Sequence, residues 1–236
     1  MIIWTGSGFA QLQWGHMLML VVGITLITLA VKKGFEPLLL IPIGFGAILT
    51  NLPGSGIMDP THGFLVQIYN AGTASEIFPI IMFLCLGALT DFKPLLANPV
   101  TFLLGAAAQG GVFVALVGAV ALGFSVPAAC AIGIIGGADG PTSIYLASKL
   151  APEYLGAIAV ASYSYMSLVP LIQPPVIRLL TTKKERSIEM KATREVSRTE
   201  LVVFPVVIAI LCGLLLPPAV PLIGMFMLGN LSLIHI

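Results

Sequence analysis

Eight apolar segments follow one another along this chain and leave little sequence for anything else. They cover residues 15–31, 38–52, 77–89, 99–124, 128–150, 154–180, 201–216 and 219–231. Only 9% of all residues are charged, whereas a soluble domain carries about 25% charged residues. In lipid every backbone amide needs an internal partner, and apolar runs of this length suit helices rather than alternating barrel strands. The sequence therefore predicts an all-α polytopic membrane protein.

One hydrophilic stretch interrupts the apolar pattern. Residues 181–200, TTKKERSIEMKATREVSRTE, hold six of the eleven basic residues together with four glutamates. By the positive-inside tendency we expect this loop on the cytoplasmic side of the membrane. It suits either a solvated connector or a docking surface for a soluble partner. With a net charge of +1 and its few basic residues concentrated here, the chain gives no sign of nucleic-acid binding.

Proline and glycine break several of the apolar segments. The sixth segment contains Pro170, Pro174 and Pro175, and we expect these residues to interrupt it. The short stretches 133–142 and 217–230 are of the kind seen in discontinuous helices of inverted-repeat transporters. The sequence thus predicts discontinuous helices in a transporter-like bundle with inverted repeats.

The last apolar segment and the five residues after it determine the predicted domain boundary. Segment 219–231 is too short to cross ~30 Å of hydrocarbon at 1.5 Å per residue. Because a transport protein seldom stops within a span, we expect one membrane domain over residues 1–231. Residues 232–236, SLIHI, are then a non-native or truncated tail.

A single acidic residue stands out within the fifth segment. Asp139 lies in the stretch GGADGPT, residues 136–142, with long apolar sequence on both sides. An aspartate at membrane depth costs ~2.5–3.5 kcal/mol on insertion scales and usually faces a cavity, a cation or a partner charge. Pro141 removes an amide donor, so nearby carbonyl oxygens are freed. With a carboxylate and the Thr142 hydroxyl they form a hard-oxygen set that suits a cation such as Na⁺.

A structural role for the same residue stays open. Asp139 has the residue type and position to cap a helix that begins at Pro141. Capping and ion binding are compatible with each other.

Hydroxyl side chains in the sixth segment form a second candidate group. Ser162 and Tyr165 lie three residues apart, on one helical face, and we expect them to face Asp139. There a tyrosine can donate a hydrogen bond or a proton. Packing between helices with satisfied hydroxyls is an equally weighted alternative. Lys149 is interpreted as an interfacial anchor rather than a counter-ion.

Six stretches resemble one protein family in the same order. They are KKGFEPLLLIPIGFGAILTNLP (32–53), GALTDFKPLLANP (87–99), GIIGGADGPTSIYLASKLAP (133–152), GAIAVASYSYMSLVPLIQPP (156–175), the TTKKER loop (181–186) and PLIGMFMLGNL (221–231). The family is that of the β subunits of the sodium-pumping, biotin-dependent decarboxylases, which include oxaloacetate, methylmalonyl-CoA and glutaconyl-CoA decarboxylases. The resemblance covers nearly the whole chain up to Leu231.

The resemblance implies a function and a set of partners. It implies a multi-pass subunit of the bacterial or archaeal cytoplasmic membrane that decarboxylates carboxybiotin and couples this reaction to Na⁺ export. Asp139 then matches a sodium ligand, with Gly137 and Thr142 beside it, and Tyr165 matches a tyrosine of the coupled site. The implied partners are a biotin-carrying carboxyltransferase subunit, a small membrane subunit and further copies of this chain. Family members continue beyond residue 231, so we expect this stretch of chain to be inactive alone.

Two other kinds of membrane protein also fit these sequence features. A secondary cation/proton antiporter also places an aspartate in a broken helix, and it carries out no chemistry. A purely structural assembly subunit predicts that the substitution Asp139→Asn changes neither transport nor decarboxylation.

Overall fold

The computed structural model describes residues 7–34, 37–189 and 194–233, and all regular secondary structure in these ranges is helical. This confirms the predicted all-α class. Within the described ranges, four helices are long and apolar enough to cross a membrane, and a bent helix pair is a fifth candidate. Residues 190–193 of the predicted cytoplasmic loop and residues 234–236 of the predicted tail lie outside the described residues.

Thirteen α-helices are described in these ranges, joined by short connections. They are α1 (Trp14–Lys33), α2 (Pro37–Thr50), α3 (Phe64–Ile68), α4 (Ile77–Leu89), α5 (Lys93–Ala97), α6 (Phe102–Ala108), α7 (Gly110–Ala121), α8 (Val126–Gly133), α9 (Gly140–Leu150), α10 (Leu155–Leu180), α11 (Lys183–Arg186), α12 (Arg198–Leu215) and α13 (Val220–Leu233). Shorter 3₁₀ turns are Gly8–Gln11, Pro99–Thr101, Ile134–Gly137, Pro152–Tyr154 and Pro217–Ala219, and Tyr69–Thr73 forms a π-helical turn.

The first two long helices form a close antiparallel pair. Helix α1 ends at Gly34, whose φ of 69° lies in the left-handed region that favours glycine. Gly23 of α1 and Gly44 of α2 face each other, because a Cβ on Gly23 would lie 2.7 Å from the Gly44 carbonyl oxygen. Small residues thus let the two backbones approach, as is common in membrane helix pairs.

A bend separates the segment before α4 from α4 itself. Helix α3 runs into the π-helical turn, and this unit meets α4 at 61°. Glu76 lies at the bend with φ 65°, a backbone conformation that side-chain-bearing residues rarely adopt. The predicted interfacial position of residues 64–76 stays a prediction.

Two of the apolar segments differ from the sequence expectation. Helix α10 continues through Pro170, Pro174 and Pro175 without a break, so the predicted interruption of the sixth segment is wrong. Prolines are tolerated in membrane helices because neighbouring groups satisfy the freed carbonyls. The fourth segment is instead divided at Gln109, between α6 and α7.

The second predicted interruption, over residues 217–230, is confined to its start. A 3₁₀ turn at Pro217–Ala219 leads into the unbroken helix α13, which extends to Leu233. The inverted repeat that this stretch suggested therefore stays a prediction.

The fifth segment is broken into two short helices. Helix α8 leads into the 3₁₀ turn Ile134–Gly137, and α9 begins only at Gly140. A cluster of buried apolar side chains packs α8, α9 and the start of α10 together, namely Ala128, Ala131, Ala147, Ala151, Leu155 and Ile158. These contacts fix the position of the break, which lies where the sequence predicted it.

Candidate functional site

The break between α8 and α9 is an abrupt change of backbone direction. Ala138 follows the 3₁₀ turn with φ 55°, in the left-handed region, and Asp139 is extended with φ −121°. Gly140 and Pro141 then begin α9, with proline in the first turn where its missing amide hydrogen is tolerated. The chain therefore presents the Asp139 carboxylate at the start of a helix.

Asp139 caps helix α9. Its carboxylate oxygen Oδ1 accepts a hydrogen bond from the Thr142 amide at 3.3 Å, and Oδ2 accepts one from the Thr142 hydroxyl. The Ser143 hydroxyl donates to the Asp139 carbonyl oxygen at 2.7 Å. The capping interpretation is thus confirmed. Asp139 is half-buried, so one side of its carboxylate remains available to a further partner.

Two backbone carbonyls beside Asp139 lose their ordinary helical donors. In a continuous helix the Gly137 carbonyl would accept from residue 141, but Pro141 has no amide hydrogen. The Ala138 carbonyl would accept from the Thr142 amide, which instead donates to Asp139. Oxygen atoms of main chain, carboxylate and hydroxyl are the ligands that hard cations prefer. The sequence-predicted residues Gly137, Asp139 and Thr142 therefore lie together at the break.

Helix α7 supports the turn from one side. A Cβ on Gly136 would lie 2.3 Å from the Gly111 carbonyl oxygen, so these two backbones are in direct contact. The Gln109 side-chain oxygen lies 3.7 Å from the position of a Cβ on Gly137. Gln109 was missed by the sequence analysis. Its amide, at the division between α6 and α7, is a further polar group near the break.

The tyrosine that contacts the start of α9 is Tyr163. A Cβ on Gly140 would lie 2.7 Å from two of the Tyr163 ring carbons, so the ring packs directly on the glycine. Tyr165 is about 200° further round α10, at 100° per residue. Its side chain is 41% exposed in this structure. The role expected of Tyr165 stays a prediction, and its ring does not share the helix face through which Tyr163 contacts Gly140.

Helix α10 also buries serine hydroxyls in this region. Ser162 is 2% exposed and Ser167 is 1% exposed, and the Ser167 hydroxyl donates to the Ser164 carbonyl at 2.8 Å. Among the residues that the structure describes, the buried Ser162 and Ser164 hydroxyl oxygens have no hydrogen-bond partner. A buried hydroxyl without a partner is energetically unfavourable. These two groups retain capacity to bind a ligand or another polar group.

The far end of α9 is tied to the bend before α4. The Lys149 ammonium forms an ion pair with the Glu76 carboxylate, with side chains 46% and 28% exposed. The same ammonium lies 5.8 Å from the centre of the Tyr145 ring. Lys149 thus has a defined acidic partner, which its interpretation as an interfacial anchor did not include.

A family model and several known proteins match this chain over most of its length. A family model described as the Na⁺-transporting oxaloacetate decarboxylase beta subunit matches residues 15–233. Glutaconyl-CoA decarboxylase subunit beta of Acidaminococcus fermentans is 61% identical over 225 residues, which is 95% of this chain and 60% of that protein. Methylmalonyl-CoA decarboxylase subunit beta of Veillonella parvula is 59% identical over 225 residues, 95% of this chain and 59% of that protein.

A more distant relative extends the comparison. The probable oxaloacetate decarboxylase beta chain of Vibrio cholerae is 47% identical over 285 residues, 95% of this chain and 66% of that protein. The chain therefore spans about 60% of the length of the two more similar relatives and less than two thirds of the third.

Proposed function

The chain belongs to the family of Na⁺-transporting oxaloacetate decarboxylase beta subunits, and on this premise we propose what the full-length protein does. It decarboxylates carboxybiotin that a partner subunit carries, and it couples this reaction to export of Na⁺. The activity belongs to the whole protein, of which this chain is a part.

The position of Asp139 carries the proposal. A carboxylate caps α9 beside two carbonyls that lack helical donors, within a segment whose flanks are apolar. This arrangement supplies negative charge and hard oxygen atoms at one point, which favours an alkali cation over a soft metal. Asp139, Gly137 and Thr142 are therefore the proposed Na⁺ ligands.

The chemical step requires a proton. Loss of CO₂ from carboxybiotin breaks the bond between the ureido nitrogen and the carboxyl carbon, and the electron pair stays on nitrogen. That nitrogen then takes up a proton, for which Tyr165 is the proposed relay. Because Tyr165 lies on the helix face away from Tyr163, this role requires that other parts of the full-length protein or complex face it. Coupling follows if Na⁺ binding and the decarboxylation step each favour the same conformation.

The proposed complex contains more than this chain. We place the subunit, with several membrane spans, in the cytoplasmic membrane of a bacterium or archaeon. Its proposed partners are a biotin-carrying carboxyltransferase subunit, a small membrane subunit and further copies of itself. The basic loop 181–200 is the part of the chain best suited to face the soluble partner, because positive loops favour the cytoplasmic side.

We propose an acyl-CoA as the substrate of the complex, because the two relatives described above at 61% and 59% identity are named as acyl-CoA decarboxylase subunits. The two acyl-CoA decarboxylase relatives match over 225 residues, almost the same number as this chain contributes. The V. cholerae oxaloacetate relative matches over 285 residues for the same share of this chain, so about 60 of its residues have no counterpart here. Assay of the assembled complex with glutaconyl-CoA, methylmalonyl-CoA and oxaloacetate tests this choice, and turnover of oxaloacetate alone would reject it.

The decisive experiment measures Na⁺ dependence in the full-length complex. Decarboxylation is titrated with Na⁺ in the native complex and in Asp139→Asn, and ²²Na⁺ uptake is followed in vesicles. We expect Asp139→Asn to abolish Na⁺-stimulated decarboxylation and uptake together. The matched control is Asp59→Asn, which removes an exposed carboxylate elsewhere and should leave both intact. An unchanged Na⁺ titration in Asp139→Asn would refute the assignment.

The antiporter reading is not favoured, because all three relatives described above are named as decarboxylase subunits. The same vesicles separate the two functions. Na⁺ uptake that depends on carboxybiotin supports the decarboxylase, whereas Na⁺/H⁺ exchange without it would support the antiporter.

A further inference from the structure

A polar cavity lies away from the broken helix, where the end of α4, the start of α12 and the end of α13 meet. Its volume is about 530 Å³, and its lining includes Thr90, Asp91, Lys93, Arg198 and Asn230. This volume is within the range of small-molecule sites in proteins, about 300–1,000 Å³. The cavity is therefore large enough for a polar head group.

The charge of this cavity is positive. Among the described residues, no ion pair involves the Lys93 ammonium or the Arg198 guanidinium. The single carboxylate in the lining, Asp91, accepts a hydrogen bond from the Lys93 backbone amide at 2.9 Å. Two cationic side chains thus face one carboxylate, and the surplus favours an anionic ligand.

A separate apolar groove lies between α12 and α13. It has a volume of about 210 Å³ and is lined by Pro205, Ala209, Gly224 and Met227 among others. On α12, the spacing of Arg198, Leu201, Pro205 and Ala209 is three, four and four residues, which places them on one helix face. Because Arg198 and Leu201 line the cavity and Pro205 and Ala209 line the groove, the groove follows the cavity along α12, away from the first turn of that helix.

Helix α13 forms the opposite wall of the groove. Gly224 and Met227 are three residues apart on α13 and line the groove, whereas Asn230 lines the cavity and bonds to the end of α4. A Cβ on Gly224 would meet no atom within 4 Å, which shows that the groove is open there. From Arg198 to Ala209 the helix rises about 16 Å at 1.5 Å per residue. That depth corresponds to about one leaflet of a ~30 Å hydrocarbon core.

We propose that this cavity and groove bind one anionic phospholipid. Its phosphate lies between Lys93 and Arg198, and an acyl chain follows the groove between α12 and α13. Basic pockets between helices on the cytoplasmic side are suited to anionic head groups, and Arg198 is the last basic residue of the loop 181–200. Binding depends on charge and shape alone, so it does not rest on the proposed Na⁺-coupled reaction.

The test measures lipid retention by the full-length protein. The protein is washed in detergent, incubated with phosphatidylglycerol, and the bound lipid is quantified by mass spectrometry. We expect the double substitution Lys93→Gln, Arg198→Gln to weaken retention by about 25-fold, the effect of losing two interfacial basic side chains. The charge-conserving pair Lys93→Arg, Arg198→Lys should keep retention close to the native value. That outcome separates charge from a general folding defect.

Two further variants test the site and the groove. The substitutions Lys32→Gln and Lys33→Gln remove two exposed charges at the end of α1 and should leave retention unchanged. Gly224→Leu fills the groove and should reduce phosphatidylglycerol retention while the basic side chains remain.

Two outcomes would overturn the proposal. Equal retention of phosphatidylcholine would show that the basic side chains do not select the head group. Equal competition by glycerol phosphate, or full retention in Gly224→Leu, would show that no acyl chain occupies the groove.

Discussion

The side-chain amide of Asn230 donates a hydrogen bond to the Thr90 carbonyl oxygen, with nitrogen and oxygen 2.6 Å apart. The same nitrogen lies 3.3 Å from the Gly87 carbonyl oxygen. Asn230 is only 6% exposed, so water does not readily replace these bonds. One amide in α13 thus satisfies the carbonyl groups at the end of α4, 140 residues earlier in the chain.

Replacing this amide should destabilise the contact between the two helices. Asn230→Leu leaves the Thr90 carbonyl without its buried donor, which costs about 1–3 kcal/mol. The control is Asn51→Leu, because the Asn51 side chain donates to near neighbours in the chain, the Ala47 carbonyl and the Thr50 hydroxyl. Thermal unfolding in detergent should show a clearly larger loss for Asn230→Leu. Equal losses in the two variants would contradict the importance of the long-range bond.

The crossing of α4 and α13 requires glycine at position 229. A Cβ there would lie 2.0 Å from the Leu84 carbonyl oxygen, whereas one on Gly224 of the same helix meets nothing within 4 Å. We expect Gly229→Ala to lower stability by at least about 2 kcal/mol through overpacking. Gly224→Ala should leave the unfolding temperature unchanged or slightly higher. A mild effect of Gly229→Ala would mean that the helices separate at little cost.

The bend before α4 combines an ion pair with an unfavourable backbone conformation. Glu76→Gln breaks the pair with Lys149, whose side chains are partly exposed, so the loss should be at most about 1 kcal/mol. Glu76→Gly also breaks the pair but suits φ 65°, and it should be about 1 kcal/mol more stable than Glu76→Gln. Unfolding temperatures of the two variants and of Lys149→Gln measure this difference. Identical stability of the two Glu76 variants would show that the positive φ carries no cost.

Capping and ion binding by Asp139 can be separated by substitution. Asparagine is as good a cap as aspartate, whereas alanine costs about 1 kcal/mol. We therefore expect Asp139→Asn to unfold at nearly the native temperature and Asp139→Ala to unfold earlier. If Asp139→Asn were as unstable as Asp139→Ala, its loss of Na⁺ response would not identify an ion ligand.

The stability of the hydrogen-bonded turn at Asp59, in the loop between α2 and α3, should depend on pH. The Thr61 hydroxyl and the amides of His62 and Thr61 donate to Asp59 and lower the pKa of its carboxyl below the ordinary 3.8. A lowered pKa means that the stabilisation is present above pH 3.8 and is lost as the pH falls through the folded value. The protection of the His62 amide against hydrogen exchange, relative to an unstructured amide at the same pH, should fall only under those acidic conditions. Asp59→Ala should remove the dependence.

Local sequence was sufficient to predict the break in the fifth segment. Gly140 and Pro141 act on the backbone within a few residues, and an aspartate before a proline has the signature of a helix cap. For that reason the positions of Gly137, Asp139 and Thr142 relative to one another followed from the chain itself. The prediction of their ligand remains to be tested.

Contacts between residues far apart in the chain could not be predicted from local sequence. Whether Tyr163 or Tyr165 faces α9 depends on the rotation of α10, which is set by packing against other helices. Asn230 and Lys149 find partners 140 and 73 residues away, and no local pattern marks those pairs. The continuity of α10 through three prolines also depends on its surroundings rather than on propensity.

Backbone contact at Gly87 and Gly229 also bears on how the protein moves. Sliding of packed helices needs a layer of side chains that can change rotamers, and here the carbonyl of one helix touches the Cα of the other. We therefore expect α4 and α13 to travel together as a rigid body during any transport cycle. Under the proposed function, a rearrangement that exposes the Asp139 carboxylate to opposite sides would then occur at other helix boundaries.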